Sequence, residues 1–221
     1  MSTRINKYVA QATGCSRRQA DKLIAEGVVT LNGKPAILGD KVVDGDTITV
    51  EGKTIKEPAP TKTILLNKPR GFVSSRNGQG SKTIYDLLPE ELWSLKSVGR
   101  LDKDSSGLLI LTNDGNLAFQ LSHPTQAKMK IYEVNLDKEL TEHDRLSIVT
   151  KGVKLADGLS RFSVERTNSQ PSFLRISMGE GRNRQIRRTF EALGYKVTKL
   201  HRTHFGQYDL GRLQEGTYLE I

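Results

Sequence analysis

The sequence of 221 residues predicts an α+β protein with two domains: a small α/β domain at 1–53, a linker at 54–62 and a larger domain at 63–221. In the linker, Pro58 and Pro60 alternate with small and charged residues, which is the composition of a connecting segment. Beyond it, short apolar runs outnumber helical patterns and are separated by hairpin-length turns. We therefore expect a mixed, mainly antiparallel sheet in the larger domain.

The small domain is predicted to contain two helices followed by strands. Its second helix is the better defined, because Ser16 is followed three residues later by Gln19, which is the arrangement of a capping box. This helix should run over 17–26 and end at Gly27. Strand patterns follow over 28–31 and 47–50, with a hairpin turn at Asn32-Gly33.

In the larger domain, strand patterns alternate with helix patterns along the sequence. Strands are predicted over 64–66, 108–111, 131–134, 173–176 and 196–200. Helices are predicted over 83–88, 116–122, 142–149 and 184–193.

Basic residues exceed acidic residues, with 34 Lys and Arg against 25 Asp and Glu, a net charge of +9 and an isoelectric point near 9.6. An excess of this size favours a polyanionic partner, because each phosphate that is neutralised releases counterions. A protein that is simply soluble and basic explains the charge about equally well.

The single cysteine, Cys15, allows neither an internal disulfide nor a cysteine-based metal cluster. The N-terminus has no apolar core of a signal peptide, and no run approaches the roughly 18 apolar residues of a membrane span. We therefore expect a cytoplasmic protein that does not bind a membrane and that acts as a monomer.

Four segments of the larger domain carry candidate chemistry: 66–73, 98–115, 130–134 and 179–190. In the second, Asp102 lies on a glycine-flanked loop that leads into a buried strand. Composition alone leaves this aspartate open as a turn former, a metal ligand or a catalytic carboxylate. The fourth is strongly basic, with seven Lys and Arg and a single acid over 182–202, so phosphate or carboxylate partners are expected.

The N-terminal domain resembles the S4 RNA-binding domain over residues 4 to 51. The likeness is carried by a helix, Ser-Arg-Arg-x-Ala, a second helix, Gly-x-Val-x-Val/Leu-Asn-Gly and Gly-Asp-x-Val-x-x-Gly-Asp, in this order. The resemblance implies that the helix pair grips structured RNA through its phosphates. The side chains expected to do so are Arg4, Lys7, Arg17, Arg18 and Lys22.

The four segments, in order, resemble the RsuA/RluB/RluE/RluF group of ribosomal RNA pseudouridine synthases over nearly the whole chain. The most specific motifs are Gly-Arg-Leu-Asp with its downstream Gly-Leu-Leu-x-Leu-Thr-Asn-Asp-Gly, and Gly-x-Asn-Arg-Gln-Ile-Arg-Arg. The resemblance implies that Asp102 is the essential catalytic aspartate and that Arg187 pairs with its carboxylate. It also implies that Tyr132 stacks on the target uracil and assists proton transfer. Ile186 would form an apolar wall, and four arginines would contact RNA: Arg100, Arg182, Arg184 and Arg188.

The chemistry implied by this resemblance needs no cofactor and no metal, since uridine is isomerised without a redox step. One carboxylate suffices, either at C1′ of the ribose or as a base at C2′, and the sequence leaves both open. An adjacent guanidinium would keep it ionised, and an aromatic platform would receive the extruded base. Two other aspartates, Asp104 and Asp114, are interpreted as turn or cap residues, and His201 and His204 as RNA-contacting or packing residues rather than metal ligands.

Two other functions compete with this one. A glycoside or nucleoside hydrolase would need a second carboxylate across the scissile bond, whereas the expected partner of Asp102 is an arginine. A non-catalytic ribosome-assembly protein would need only the N-terminal domain. For the enzyme, the motifs favour 23S rRNA as substrate, with 16S rRNA or a tRNA as the runners-up.

Overall fold

The computed structural model describes residues 2–123, 128–167 and 172–221, and the chain divides into two compact units, Met1–Thr61 and Lys62–Ile221. The described residues of the first unit form two helices and six short strands. These are α1 (Ile5–Thr13), α2 (Arg17–Ala25), β1 (Thr3–Arg4), β2 (Val29–Leu31), β3 (Lys34–Pro35), β4 (Lys41–Val42), β5 (Ile48–Val50) and β6 (Lys53–Thr54).

The helix pair of the first unit is stabilised by the predicted cap. The Ser16 hydroxyl accepts from the Gln19 amide at 3.2 Å, and the Gln19 side chain accepts from the Ser16 amide at 2.8 Å. Gly27, with φ of 72°, follows α2 as predicted. The apolar faces of the helices and of β2 and β5 meet in one core, formed by Ile5, Val9, Ala20, Ile24, Val29 and Ile48.

The strands of the first unit form an antiparallel sheet in the order β3-β2-β5-β6, while β1 pairs with β4. Asn32 and Gly33 have φ of 52° and 78°, which are the positive values that the predicted hairpin turn requires. The last strand of this sheet lies at Lys53–Thr54, and the Ile55 amide still donates to the Ile48 carbonyl at 3.0 Å. Ordered pairing in this unit thus extends slightly beyond residue 53.

The described strands of the second unit are β7 (Thr63–Lys68), β8 (Lys96–Val98), β9 (Ser106–Thr112), β10 (Lys130–Leu136), β11 (Val153–Leu155), β12 (Gly158–Ser160), β13 (Ser163–Arg166), β14 (Phe173–Met178), β15 (Val197–Phe205), β16 (Tyr208–Asp209) and β17 (Tyr218–Glu220). Strands β11 and β12 form a separate hairpin, and the other nine form one sheet. The sheet order of this unit is β13-β14-β10-β15-β9-β7-β17, with β16 pairing β15 and β8 pairing β9. Its helices are α3 (Gly115–Ser122), α4 (Glu142–Leu146) and α5 (Gln185–Ala192).

The sheet is antiparallel throughout its described pairs except between β9 and β15, which run parallel. This confirms the expected mainly antiparallel sheet. Strands β7 and β9 are buried along their whole length, because apolar clusters cover both faces of the sheet. Ile64 and Leu109 belong to the larger cluster, whereas Leu65 and Leu108 face the smaller one on the other side.

Two of the predicted helices of the second unit differ from the structure. Over 83–88 only a short 3₁₀ turn forms, at Ile84–Leu87, because Leu88 precedes Pro89 and is held in the extended conformation. Over 142–149, α4 ends at Leu146 and a wider π turn continues from Ser147 to Lys151, ending at Gly152 with φ of 78°. No described helix combines the length and the apolarity that a membrane crossing would require.

Candidate active site

The loop between β8 and β9 carries Asp102 into a cleft of about 630 Å³ in the second unit. This cleft is lined by the Asp102 loop, by the start of β10, by the segment from β14 into α5, and by the end of β15. Each element contributes functional candidates to the lining: Arg100, Asp102, Lys130, Tyr132, Arg182, Arg184, Ile186 and Arg202.

The conformation of the Asp102 loop is fixed by Lys68, the last residue of β7, whose side chain is fully buried. Its Nζ donates to three carbonyl oxygens, those of Pro69 at 2.9 Å, Asp102 at 3.1 Å and Ser105 at 2.7 Å. Two of these carbonyls belong to the loop that contains Asp102. In the sequence, Lys68 lies within the candidate segment 66–73 but has no role assigned to it, so its role as the anchor of this loop was missed.

Burial lowers the pKa of Lys68 to about 8 from its usual 10.5, although the charges of Asp102 and Asp104 act in the opposite direction. At pH 7 the lysine is charged in the folded and unfolded states, and the penalty for burying that charge is fully present. Between pH 8 and 10.5 the folded protein releases this proton before the unfolded chain does. The contribution of Lys68 to stability should therefore increase as the pH rises through this window.

Replacing Lys68 by methionine is expected to destabilise the second unit by about 1–3 kcal/mol at pH 7, because buried carbonyl oxygens lose their donor. The difference from wild type should be larger at pH 9.5. Urea unfolding at both pH values measures it, with Lys154→Met, a change of an exposed lysine on β11, as the control. An equal difference at the two pH values would contradict the lowered pKa.

The guanidinium next to the Asp102 carboxylate belongs to Arg184, whose Nη1 lies 3.4 Å from Asp102 Oδ2. Arg184 also contacts Asp104, at 3.1 Å from Nη1 to Oδ1 and 3.3 Å from Nη2 to Oδ2. Arg184 is the residue before α5 and has a left-handed backbone, with φ of 46°. This conformation, rather than a helical one, directs its side chain to both aspartates.

The prediction that Arg187 pairs with the Asp102 carboxylate is wrong. Arg187 is buried, and its Nε lies 3.3 Å from Asp104 Oδ2. Its terminal nitrogens donate to the Asp104 carbonyl at 3.0 Å and to the Val197 carbonyl at 3.0 Å. These backbone contacts fix the guanidinium at the end of the loop that follows Asp102, so that Arg187 supports the loop and Arg184 reaches the carboxylate.

Asp104, interpreted from the sequence as a cap or turn residue, is the common acceptor of these two arginines. Burial by itself would raise its pKa, but the hydrogen bond from Arg184 and the charges of Arg187 and Arg184 outweigh it and lower the pKa. Asp104 is therefore ionised together with its arginine partners. The sequence did contain a signal for it, since a second acid stood two residues after Asp102 opposite a basic segment.

Tyr132 and Ile186 complete the wall of the cleft around Asp102. Tyr132 lies in the middle of the sheet, paired with Ile176 of β14 and Arg202 of β15, and only 7% of it is exposed. Ile186 is buried in the first turn of α5 and packs in the same apolar cluster as Tyr132. The structure thus brings Asp102, Tyr132 and Ile186 to one cleft, as the resemblance implied.

The other predicted RNA-contacting side chains fall into two groups. Arg182 and Arg188 are engaged within the protein, because both bind Asp157 of the β11–β12 hairpin, at 3.0 Å and 2.8 Å. The sequence analysis expected phosphate or carboxylate partners for this basic segment, and in the structure the partner of both arginines is a carboxylate. Arg100 is exposed at the rim of the cleft, and in the first unit the predicted cations are exposed or partly exposed on β1, α1 and α2: Arg4, Lys7, Arg17, Arg18 and Lys22.

A carboxylate, an arginine and a buried tyrosine meet in one cleft of a mixed sheet, and a separate unit presents exposed cations. This arrangement is the one expected for the class of RNA-modifying enzymes that the sequence resembles. The model of the RNA pseudouridylate synthase family matches residues 62–192, more than half of the chain, and the S4 domain model matches residues 3–48. The chain belongs to the RNA pseudouridine synthase family.

Similar proteins cover the full length of this chain. The chain is 37% identical to the dual-specificity RNA pseudouridine synthase RluF of Salmonella typhi, over 100% of this chain and 76% of that protein. It is also 37% identical to the ribosomal large subunit pseudouridine synthase B of Bacillus subtilis, over 99% of this chain and 91% of that protein. A crystal structure of a pseudouridylate synthase superposes with a TM-score of 0.70 at 31% identity, over 99% of this chain and 95% of the other.

Proposed function

We propose that the protein converts one uridine of 23S rRNA to pseudouridine in the cytoplasm, as a monomer, with Asp102 as the essential carboxylate. The observation that carries the proposal is the position of Asp102, which lines the same cleft as Tyr132 and lies 3.4 Å from the Arg184 guanidinium. The large-subunit target is supported by the name of the Bacillus relative. The runners-up are 16S rRNA and a tRNA.

In this reaction the bond between N1 of uracil and C1′ of ribose breaks, the base turns, and C5 bonds to C1′. The proton of C5 then leaves and N1 takes up a proton, so that the product is an isomer of uridine. The Asp102 carboxylate acts on the ribose, either by attack at C1′ or by removing a proton from C2′. Arg184 forms an ion pair with this carboxylate and so holds its position in the cleft. Tyr132 and Ile186 provide an aromatic and an apolar wall for the extruded uracil, which would otherwise lose its stacking partners.

The two units have different roles in this proposal. The first domain, at 1–53, holds structured RNA through the phosphate contacts of its exposed cations, followed by a linker at 54–62. The catalytic domain, at 63–221, receives the target nucleotide. Arg187 belongs to the catalytic set as a positioning residue, since it contacts Asp104 and the loop backbone, and Arg100 contacts RNA at the rim of the cleft.

The target is tested by incubating the purified chain with transcripts of 23S rRNA, 16S rRNA and bulk tRNA and then mapping pseudouridine at nucleotide resolution. We expect a single modified position in 23S rRNA and none in the other two. Modification of only 16S rRNA or tRNA would contradict the proposed target. Release of free uracil in the same reaction would instead indicate a hydrolase that cleaves the bond between uracil and ribose.

A further inference from the structure

The lining of the cleft contains two cations that the chemistry of Asp102 does not use. Lys130 begins β10, and Arg202 lies on β15 as the direct strand partner of Tyr132. Both line the cleft. Arg202 is 2% exposed, and Lys130 is half-buried.

These two cations lie against the same aromatic ring. The Lys130 Nζ is 5.1 Å, and the Arg202 Cζ 4.9 Å, from the centroid of the Phe205 ring. The strand register explains how they meet, because Thr203 is an extra residue of β15 opposite the step from Ile131 to Tyr132. Such a bulge redirects the neighbouring side chains of its strand.

Neither cation has a carboxylate partner among the ion pairs of residues 2–123, 128–167 and 172–221. Among the described residues, the partners of the Lys130 Nζ are carbonyl oxygens, those of Lys128 at 3.3 Å and Gly179 at 3.1 Å. Burial, and secondly the charge of Arg202, lower the pKa of Lys130. Two like charges therefore share a poorly solvated place without a compensating anion, an arrangement that costs free energy until an anion binds.

The Arg202 guanidinium also presents an unused donor. Its Nε donates to the Leu108 carbonyl at 2.8 Å, whereas its Nη2 is buried and has no hydrogen-bond partner. The two carboxylates of the cleft do not supply one, because Asp102 is paired with Arg184, and Glu180 lies 3.6 Å from Arg182. A buried donor without a hydrogen-bond partner costs free energy, and an anion bound beside this guanidinium would lower that cost.

We propose that Lys130 and Arg202 form an anion subsite that binds a backbone phosphate of the RNA next to the nucleotide extruded onto Tyr132. A phosphodiester matches the two positive charges, and its oxygens accept from the Lys130 ammonium and from the free side of the Arg202 fork. Neutral uracil would leave the charge uncompensated.

The subsite is tested by the binding of a labelled pentauridylate, followed by fluorescence anisotropy over a range of salt concentrations. We expect Lys130→Gln to bind about tenfold more weakly at low salt, with the slope of log K against log salt smaller by about 0.7. Lys154→Gln makes the same charge change outside the cleft and should leave both unchanged. A pentauridylate with a neutral methylphosphonate backbone should bind wild type and Lys130→Gln equally.

A second variant, Arg202→Lys, keeps the charge but removes the fork, and it should weaken binding while its thermal unfolding remains cooperative. Equal affinity and slope for Lys130→Gln and wild type would overturn the proposal. So would unchanged binding with slower modification of rRNA, which would place the two cations on the uracil. The subsite rests on RNA as the substrate of this cleft, but a failure to modify 23S rRNA would not alter these binding results.

Discussion

Asp102→Asn is expected to abolish pseudouridine formation, with a loss of at least about 10⁴-fold in kcat, as for the removal of other essential catalytic groups. The asparagine side chain has the same shape but can neither attack C1′ nor accept a proton from C2′. The affinity of the Asp102→Asn variant for RNA should stay close to that of wild type, because other residues make the phosphate contacts. Tritium release from C5 of labelled uridine in the modified RNA measures the rate.

Two further variants decide whether the effect belongs to Asp102 alone. Asp209→Asn changes an exposed aspartate of β16 in the same way and should retain full activity. Asp104→Asn should lose less than Asp102→Asn, because Asp104 holds Arg184 and Arg187 without facing the target nucleotide itself. If Asp104→Asn were inactive and Asp102→Asn active, Asp104 would be the catalytic carboxylate.

The local structure around the site could largely be predicted from the sequence, because short-range chemistry determines it. Ser16 and Gln19 fix the start of α2 through hydrogen bonds within one turn, and Asn32-Gly33 fixes a turn through its positive φ values. In the same way, a loop that leads into a fully apolar strand placed Asp102 at the end of the sheet. These patterns involve neighbours in sequence, so no tertiary information is needed.

The partners of Asp102 could not be predicted in the same way. Helical spacing places residues 184, 187 and 188 on one face, but α5 begins only at Gln185, and Arg184 has a left-handed backbone. The direction of the Arg184 side chain therefore depends on the backbone conformation of the residue before the helix, which the spacing of residues in the sequence does not predict. Arg187 lies within α5, as the helical spacing predicts, but its guanidinium donates to the Val197 carbonyl of β15. That contact depends on how the helix packs on the sheet.

Lys68 illustrates a second limit, because a lysine is almost always exposed and its residue type predicts a surface position. Here it is fully buried and donates to carbonyls of a loop that lies 34 and 37 residues further along the chain. Only the pairing of β7 with β9 brings these segments together. The anchor of the Asp102 loop is thus a consequence of sheet topology.

Gly107→Ala is expected to cause the largest loss of stability, because β9 approaches β15 at this residue more closely than a side chain permits. A Cβ atom at Gly107 would lie 2.2 Å from the Arg202 carbonyl oxygen and 2.6 Å from its nitrogen. The neighbouring atoms are backbone and cannot rotate away, and the φ of +105° is itself unfavourable for alanine. Strain and overpacking together should cost about 3 kcal/mol or more.

Urea unfolding of the second unit measures this loss, and Gly115→Ala is the matched control, since a Cβ at the first residue of α3 would meet no atom within 4 Å. Activity should fall together with stability. The parallel register pairs Gly107 with Arg202 and Ser106 with His201, so this contact joins the end of the Asp102 loop to the strand of the proposed anion subsite. A Gly107→Ala protein that folded with wild-type stability would mean that the two strands are not so close, and the positions inferred for Lys130 and Arg202 would have to be revised with them.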